Sequence, residues 1–305
     1  TGQLVEVDKA QLPGYSPNIA IFPDHLVVAN TDPTNWIDTQ IAIFDLSQAD
    51  GKLVALPVLK VPGRVPSEFH LDITNQQFRV VYGPEDRQKG STLAIYDLLS
   101  PKLDLLGKVS DIAPGEDLFA TRFVNNRAFV VTYVRTDPLW IIDLSDATAP
   151  KILGELHVPG WSEKLFFHED RLFAVGTDDQ PAEGEAKDKW VRRVALSLFD
   201  VADPTKPLLL SKLTPLAGQV SYSWSPAVDD ERALLLNWDN ALAALPVESW
   251  ETEAGSYLQI VSLANNKIDD VGLVASPISL QRSLSIKPDI LAALGDQALL
   301  TVRWG

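Results

Sequence analysis

The residues that decide the fold are 116–160, EDLFATRFVNNRAFVVTYVRTDPLWIIDLSDATAPKILGELHVPG. Apolar and polar residues alternate up to Asn125-Asn126, where a turn leads into a second strand, and this pattern is typical of a β-hairpin. A third strand over Leu139–Leu144 ends at Asp143, and a Ser-Asp-Ala-Thr-Ala-Pro turn precedes a fourth strand over Lys151–His157. The stretch therefore predicts four short strands in succession.

The third strand of this unit recurs along the chain with a period of about 54 residues, a length that suits repeated β units. Its copies end at Asp45, Asp97, Asp143, Asp200 and, in a degenerate form, Ser262. Repeated four-stranded units predict an all-β protein with the β-propeller fold. We expect a single propeller domain over residues 1–305, most simply with six four-stranded blades, while five or seven blades also fit the period.

The recurring Asp has a structural explanation. A carboxylate at the end of a strand accepts backbone N–H bonds in the turn that follows, as in an Asx-turn. The Pro and Asp residues after it stop the strand and reverse the chain. We therefore interpret the four Asp residues as turn residues and not as catalytic groups.

The two ends and two further segments complete the predicted architecture. The orphan strand Leu4–Asp8 is expected to complete the last blade and so close the ring, which removes an exposed sheet edge. An inner strand is predicted over Glu68–Ile73, and Asp178–Lys189 is predicted to be a polar surface loop.

Composition excludes several classes of function. The formal net charge is −15 and the pI is about 4.6, which argues against nucleic acid and anionic membranes as partners. The chain has no cysteine, so disulfides, thiolate metal sites and cysteine nucleophiles are excluded. No apolar run approaches the roughly 18 residues of a transmembrane helix. We expect no membrane insertion, and a monomer.

Short motifs for metals or catalysis are missing from the sequence. The four histidines, His25, His70, His157 and His168, form no HExxH or HxH pair. There is no G-x-S-x-G nucleophile, P-loop or EF-hand loop. The carboxylates of Asp229-Asp230-Glu231 offer a weak calcium site between blades. We therefore expect no cofactor, with calcium as the open alternative, and no catalytic residue is assigned.

Charged residues at the start of the predicted inner strands are the first candidate site, because these positions face the central channel of a propeller. They are Glu68, Arg122, Glu163, Lys164 and Arg282. One interpretation is that they pair across blades and fill the channel. The other is a pocket at the channel mouth that binds a small anion or a peptide carboxylate through its arginines. Arg122 is the most distinctive of the set.

Tryptophans in predicted loops are the second candidate. The chain has eight tryptophans, and four lie in loops or where strands begin: Trp36, Trp161, Trp224 and Trp250. Exposed aromatic rings are common at recognition surfaces, and their apolar faces also stack on sugars. The alternative is that they pack between blades.

A family resemblance is carried by Gly63–Val80, Gly115–Gly160 and Ser197–Pro207, with weaker similarity over Ala233–Val247 and Gln281–Ile286. These stretches resemble exported bacterial and archaeal proteins that carry a C-terminal β-propeller domain distantly related to WD40 repeats. The resemblance implies a propeller, and a protein exported to the periplasm, the cell surface or the extracellular space. It implies no reaction. The chain starts without Met, which we interpret as a mature or trimmed form.

Three functions therefore remain. The first is a non-enzymatic binding or scaffold propeller that recognises a protein, peptide or glycan through its channel mouth or its Trp-bearing loops. The second is an enzyme of the hydrolase or lyase kind that uses carboxylates and Arg at the channel mouth. The third is a structural component of the cell envelope. The fold alone does not decide between them, since propellers carry many functions.

Overall fold

The computed structural model describes residues 4–12, 14–84, 86, 88–133, 137–158, 160–181, 190–253 and 255–303, without the side chains of residues 16, 137, 161, 180 and 181. Two compact units divide the chain. Unit 1 comprises Thr1–Val134 and Trp140–Leu153, and unit 2 comprises Arg135–Leu139 and Gly154–Gly305. The single domain over residues 1–305 stays a prediction.

The first three sheets come from the N-terminal half of the chain. Two of them have five strands, in the orders β1-β2-β3-β4 with β5 also on β3, and β10-β9-β8-β6 with β7 also on β8; the third is β11-β12-β13-β14. Their strands are β1 Tyr15–Phe22, β2 His25–Thr31, β3 Thr39–Asp45, β4 Val54–Ala55, β5 Leu59–Val61, β6 Gly63–Arg64, β7 Leu71–Thr74, β8 Gln77–Pro84, β9 Ser91–Asp97, β10 Leu105–Ile112, β11 Asp117–Val124, β12 Arg127–Tyr133, β13 Asp137–Asp143 and β14 Lys151–Val158.

Three further sheets follow, in the orders β15-β16-β17-β18, β19-β20-β21-β22 and β23-β24-β25. Their strands are β15 Trp161–His168, β16 Arg171–Pro181, β17 Trp190–Asp200, β18 Leu208–Leu213, β19 Leu235–Asn237, β20 Leu242–Glu248, β21 Ser256–Ser262, β22 Asp269–Ser276, β23 Leu280–Lys287, β24 Ile290–Gly295 and β25 Leu299–Arg303. One short α-helix, α1 Pro226–Asp229, precedes β19, and 3-10 turns cover Glu68–His70, Glu231–Ala233 and Ala264–Asn266.

The predicted hairpin in residues 116–160 is confirmed. Strands β11 and β12 pair antiparallel, with Thr121 opposite Val130 and Val124 opposite Arg127. Asn125 has a φ of 51°, a left-handed conformation that Asn tolerates better than most residues. The turn that the sequence predicts at Asn125-Asn126 is therefore made by the residue suited to it.

Each unit has its own apolar core, formed by the middle strands. In unit 1, Ile41, Ile43, Phe78 and Val80 are fully buried within one cluster. In unit 2, a cluster around Phe173 includes buried side chains from β16, β17, β20 and β21. Near-continuous apolar runs are expected for strands covered on both faces.

The turn chemistry of the recurring Asp is also confirmed. The carboxylate accepts the backbone N–H two residues ahead in all four copies, and the Ser262 hydroxyl does the same in the fifth. The bonds are Ser47 to Asp45 at 2.7 Å, Leu99 to Asp97 at 2.9 Å, Ser145 to Asp143 at 3.0 Å, Ala202 to Asp200 at 2.9 Å and Ala264 to Ser262 at 3.2 Å.

On the last strand of several sheets, a small residue leaves room for a turn of the next sheet, which packs against it. A Cβ on Gly107 would lie 2.4 Å from the Ala147 carbonyl oxygen, and one on Gly154 would lie 2.5 Å from that of Pro204. At the corresponding place on β18, the Ser211 hydroxyl accepts a bond from the Ile268 N–H at 3.0 Å. Gly272 on β22 has nothing within 4 Å. We call these positions the notches.

The predicted inner strand Glu68–Ile73 is wrong in its first half. Residues Glu68–His70 form a 3-10 turn, and only Leu71–Thr74 is a strand. Local bonds close this turn, because the His70 N–H donates to the Ser67 carbonyl at 3.2 Å and the His70 ring bonds to the Ser67 hydroxyl at 2.9 Å. The His70 Nδ1 atom also lies 3.3 Å from the Ser67 carbonyl oxygen, and side chain-to-backbone bonds of this kind interrupt regular structure.

The predicted loop Asp178–Lys189 is wrong at its start. Residues as far as Pro181 extend β16, and Asp178 is buried and lies 3.1 Å from Lys212 Nζ. The ion pair offsets the cost of burying this carboxylate. Residues 182–189 lie outside the described part of the chain.

The N-terminal segment does not appear as the expected strand. Residues 4–12 form no strand, and Leu4, Val5 and Val7 are exposed. The segment is tied to residues of the first sheet's last turn, since the Leu53 N–H donates to Asp8 Oδ2 at 3.0 Å. Among the described strands the last sheet has three, so the closure of the ring stays a prediction.

Candidate recognition groove

A hydrogen-bonded loop, residues 32–38, presents Trp36. The Thr34 N–H and hydroxyl donate to Asp32 Oδ1 at 2.8 and 2.7 Å. Lys60 Nζ lies 2.6 Å from Asp32 Oδ2 and 3.3 Å from Asp38 Oδ2. Lys60 foremost, and then the bonds from Thr34, hold the pKa of Asp32 well below its usual range. The ends of the loop are joined by the Asp32 N–H and the Asp38 carbonyl at 2.8 Å.

Trp36 has an unusual backbone conformation. Its φ is 61°, which is a true outlier for a bulky residue and costs of order 1–3 kcal/mol. The Trp36 N–H donates to the Asp32 carbonyl at 2.9 Å, so the surrounding bonds maintain the strain. Strain that a structure maintains in this way is commonly found at ligand sites.

The ring of Trp36 stacks on Tyr15. Their centroids are 5.1 Å apart and their planes differ by 16°. Trp36 is 56% exposed and Tyr15 is 58% exposed, so the pair packs on itself while much of its apolar surface faces solvent. An exposed aromatic pair of this kind is a ready contact surface for a ligand with an apolar face.

A groove of about 650 Å³ extends from this pair and is lined by residues of the first three sheets of unit 1. The volume is within the range of small-molecule sites. Arg64 also lines the groove; it is exposed, and no hydrogen bond or ion pair joins its guanidinium to the described residues. The other lining groups include Asn18, Thr31, Asp117 and Pro84. We call this the Trp36 groove.

A second cavity brings together two of the charged residues that the sequence singled out. Glu68 and Arg122 line a space of about 330 Å³ in unit 1 with Phe69 and Asp72. The Arg122 guanidinium carbon lies 6.0 Å from the centre of the Phe69 ring, at the limit of a cation–π contact. Burial raises the pKa of Asp72, and the Arg79 charge opposes that rise.

The other three predicted site residues lie in unit 2. Glu163 and Lys164 are half-buried on β15, and Glu163 Oε1 accepts a bond from the Thr177 hydroxyl at 3.4 Å. Arg282 Nη2 donates to Asp230 Oδ2 at 2.8 Å. Asp230, one of the carboxylates offered for calcium, is thus bonded to an arginine. Within the described residues no group of three or more His, Asp or Glu is placed to hold a metal ion.

The remaining candidates have varied environments. His70 is buried, whereas His168 stacks on Trp238 at 5.0 Å. Trp250 is 74% exposed and stacks on Tyr222 at 4.1 Å, while the side chain of Trp161 lies outside the description. Among the described residues, no helix has both the length and the apolar character needed to cross a membrane.

The profile of the Beta propeller domain family matches residues 3–292. The match covers nearly the whole chain and agrees with the sheets of four antiparallel strands. The chain belongs to the beta propeller domain family. The predicted all-β propeller fold is thereby confirmed, whereas the six blades and the closure of the ring stay predictions.

Two archaeal proteins are similar in sequence. One, an uncharacterised protein of Methanocaldococcus jannaschii, is 33% identical over 216 residues, which is 70% of this chain and 31% of that protein. The other, from Archaeoglobus fulgidus, is 32% identical over 209 residues, which is 68% of this chain and 29% of that protein. The chain therefore matches less than a third of the length of these relatives.

Solved structures resemble the propeller at low sequence identity. A protein from Lactobacillus plantarum has a TM-score of 0.59 and 11% identity, covering 97% of this chain and 83% of that one. A protein from Bacteroides fragilis described as a putative 6-phosphogluconolactonase has a TM-score of 0.52 and 10% identity, covering 90% of this chain and 76% of that one. At these identities the likeness shows the fold alone.

Trp36 is a candidate that the sequence indicates, whereas the residues that line the candidate groove with it are not evident from the sequence. Tyr15 lies 21 positions away on β1, and Arg64 lies on a two-residue strand. Asp72 was assigned to an ordinary strand position. Arg64 lies between Gly63 and Pro66, and a stretch with Gly and Pro does not favour a long regular strand. This irregularity is the sequence feature that could have pointed to Arg64.

Proposed function

We propose that the protein is a non-catalytic recognition module that binds a glycan in the Trp36 groove. One observation carries the proposal: Trp36 is kept at a φ of 61° by a bonded loop while its ring, stacked on Tyr15, stays more than half exposed. Because the ring of Trp36 is exposed, core packing does not account for its position. An exposed aromatic pair on a rigid loop is pre-organised for a ligand, which reduces the entropy lost on binding.

The shape and lining of the groove favour a sugar chain over a protein surface. The groove is concave, with polar groups from Asn18 and Thr31 beside the aromatic pair. Sugars present an apolar ring face for stacking and hydroxyls for such polar groups. Protein partners place aromatic residues at the dry centre of a larger, flatter interface. A peptide or protein partner is therefore the competing outcome of the test.

The test is a binding screen of the intact chain against a glycan panel and a peptide panel, with Trp36→Ala and Trp250→Ala as variants. Trp250 is the matched control, because it too is exposed and stacked on a Tyr. We expect glycan binding that Trp36→Ala weakens about fivefold to 150-fold, since loss of one stacked aromatic costs about 1–3 kcal/mol in comparable ring contacts. Trp250→Ala should preserve this binding. Binding confined to peptides, or equal loss in both variants, would contradict the proposal.

A hydrolase or lyase is the second candidate, and one observation favours it. Glu68, Asp72 and Arg122 line the 330 Å³ cavity, and burial raises the pKa of Asp72, as it does in carboxylic acids that donate protons in catalysis. Incubation with oligosaccharides, followed by assay of new reducing or unsaturated ends, tests this. Turnover that Asp72→Asn abolishes, with the fold intact by circular dichroism, would establish the enzyme; no turnover leaves the binding module.

We further propose that the sheets form six blades in one ring, which Leu4–Asp8 closes by pairing with β25. The support is that β25 has one paired edge among the described strands, and that the Gly272 notch is open. The chain has no cysteine, so the pair Val5→Cys and Thr301→Cys tests the closure cleanly. A disulfide that forms under mild oxidation supports it, and two free thiols in the folded protein oppose it.

Export to the periplasm, the cell surface or the extracellular space is also proposed, on the resemblance of residues 115–160 to exported proteins. Protease treatment of intact cells tests it, since an exported chain is either accessible or released. A role as a structural envelope component would leave the Trp36 groove without a ligand, so the binding screen also separates that alternative.

A further inference from the structure

Arg64 is a charged residue in the lining of the Trp36 groove. No ion pair or hydrogen bond joins its guanidinium to the described residues, and its side chain is exposed. The chain has 41 acidic residues against 26 Lys and Arg, so an arginine with no carboxylate partner among the described residues stands out electrostatically. A cation in a concave site attracts anions to it.

The backbone that carries Arg64 is firmly positioned. The Thr39 hydroxyl donates to the Gly63 carbonyl at 2.8 Å and accepts from the Val65 N–H at 3.2 Å. The Asn18 amide donates to the Val65 carbonyl at 2.7 Å. Residues on both sides of Arg64 are therefore bonded to the first sheet. The side chain has a fixed origin on the wall of the groove that also contains Tyr15 and Trp36.

We infer that the ligand of the Trp36 groove is an acidic glycan that contains uronic acid units. A uronate residue combines an apolar ring face, which stacks on the Trp36 and Tyr15 pair, with a carboxylate on the edge of the same ring. The planar fork of Arg64 matches a carboxylate with two parallel N–H bonds. This inference rests on the proposed function and adds the chemical class of the sugar.

Carboxylate is favoured over the other anions that sugars carry. Sulfate and phosphate esters present three terminal oxygens, and a phosphate monoester also carries more charge than a carboxylate; sites for these esters usually gather several cations or backbone N–H groups. Lys and other Arg residues are absent from the lining of the Trp36 groove as described. One planar guanidinium beside an aromatic pair suits one carboxylate.

The experiment uses calorimetry to compare the affinities of three ligands for the intact chain. The buffer contains a chelator that removes divalent cations. The three ligands are an oligogalacturonate, the same backbone with its carboxyls reduced to alcohols, and a sulfated neutral oligosaccharide. We expect the uronate to bind about tenfold to a hundredfold more tightly than the reduced form, the range expected for hydrogen bonds to charged groups.

Variants locate the effect. Arg64→Gln should remove the preference for the uronate and leave binding of the reduced backbone unchanged, whereas Trp36→Ala should weaken both. Arg232→Gln changes the net charge equally at an exposed side chain in unit 2, and it should preserve the preference. A preference lost equally in Arg232→Gln would reduce Arg64 to a general electrostatic contribution and overturn the inference.

The outcomes separate the two proposals. Equal binding of uronate and reduced backbone, with loss in Trp36→Ala, would overturn the acidic ligand and retain the glycan module. Stronger binding of the sulfated sugar would also overturn the inference. Failure of all three ligands to bind at millimolar concentration would refute both it and the groove as a glycan site.

Discussion

Replacing the ion pair between the buried Arg79 and the partly buried Asp72 should stabilise the protein. Arg79 is 1% exposed, and its Nη1 lies 3.5 Å from Asp72 Oδ2 and donates to the Asn125 carbonyl at 2.5 Å. Its Nε has no acceptor among the described residues. Burial lowers the pKa of Arg79 and raises the pKa of Asp72. Both directions mean that the charged form of each group is disfavoured in the folded state.

The magnitude follows from opposing terms. At 3.5 Å and an effective dielectric of about 20, the attraction is about 5 kcal/mol, and a hydrogen bond from a charged donor contributes about 1.5–3 kcal/mol. Desolvation costs several kcal/mol for each of the two ions. Because the pair is not bidentate and one donor is unused, we expect the double variant Arg79→Met/Asp72→Asn to be about 1–3 kcal/mol more stable. Asn125 is exposed, so water replaces the lost donor.

Urea unfolding of both proteins at several pH values measures this. Since the folded pKa of Asp72 is raised, the stability it contributes is present below its ordinary value of 3.8 and is lost as the pH rises through the folded value. The advantage of the double variant should therefore grow from pH 4 to pH 7. The exposed pair Lys267 and Asp269 is the control, and its replacement by Met and Asn should have little effect. A double variant clearly less stable than the parent would refute the reasoning.

Three further predictions concern stability and binding. Gly154→Ala should lower the free energy of unfolding by about 1–3 kcal/mol, because its Cβ would lie 2.5 Å from a carbonyl oxygen. Gly83→Ala is the control: no atom lies nearer than 3.6 Å to its Cβ, so it should be neutral to slightly stabilising in the same urea unfolding experiment. Equal effects of the two substitutions would contradict the close contact at the Gly154 notch. Burial raises the pKa of Tyr96 to about 12 from 10.0, so stability is intact below pH 10 and is lost as the pH rises through about 12; ultraviolet titration of the phenol alongside unfolding checks this, and ionisation near pH 10 without unfolding would be inconsistent with it. Lys60→Met should weaken ligand binding, because it removes the ion pairs to Asp32 and Asp38 that hold the loop of Trp36, although Lys60 is not among the residues that line the groove. An unchanged affinity in calorimetry would show that these ion pairs are not needed to position the loop.

The turns and hairpins that the sequence predicts correctly depend on bonds between residues that are close together in the chain. Asp143 and its counterparts bond the N–H two residues ahead, and this requires only neighbours in the chain. Hairpins such as β11–β12 follow equally from alternation and an Asn that tolerates positive φ. Strands of this kind were placed correctly because their period and their turns agree.

Contacts between distant residues account for what it could not predict. The Glu68–Ile73 stretch alternates like a strand, but bonds between Ser67 and His70 close it into a turn. In the sequence, Asp178 has the character of a loop residue. In the structure it is buried in a strand, where it forms an ion pair with Lys212, 34 positions later. Within the site, Trp36 is evident in the sequence as an aromatic residue in a loop. Its stacking on Tyr15 and its nearness to Arg64 depend on three elements meeting, which no local pattern encodes.

The notches predict which sheets separate first. Where a notch is filled, the last strand of a sheet contacts the turn of the next sheet, and this contact must be lost before the strand can detach. In repeat proteins, coupling between neighbours of this kind makes opening start at a weakly coupled unit. The notch of the fifth sheet is open at Gly272, whereas the notches at Gly107 and Gly154 are filled. Amide hydrogen exchange should therefore be faster over β22, Asp269–Ser276, than over β14, Lys151–Val158.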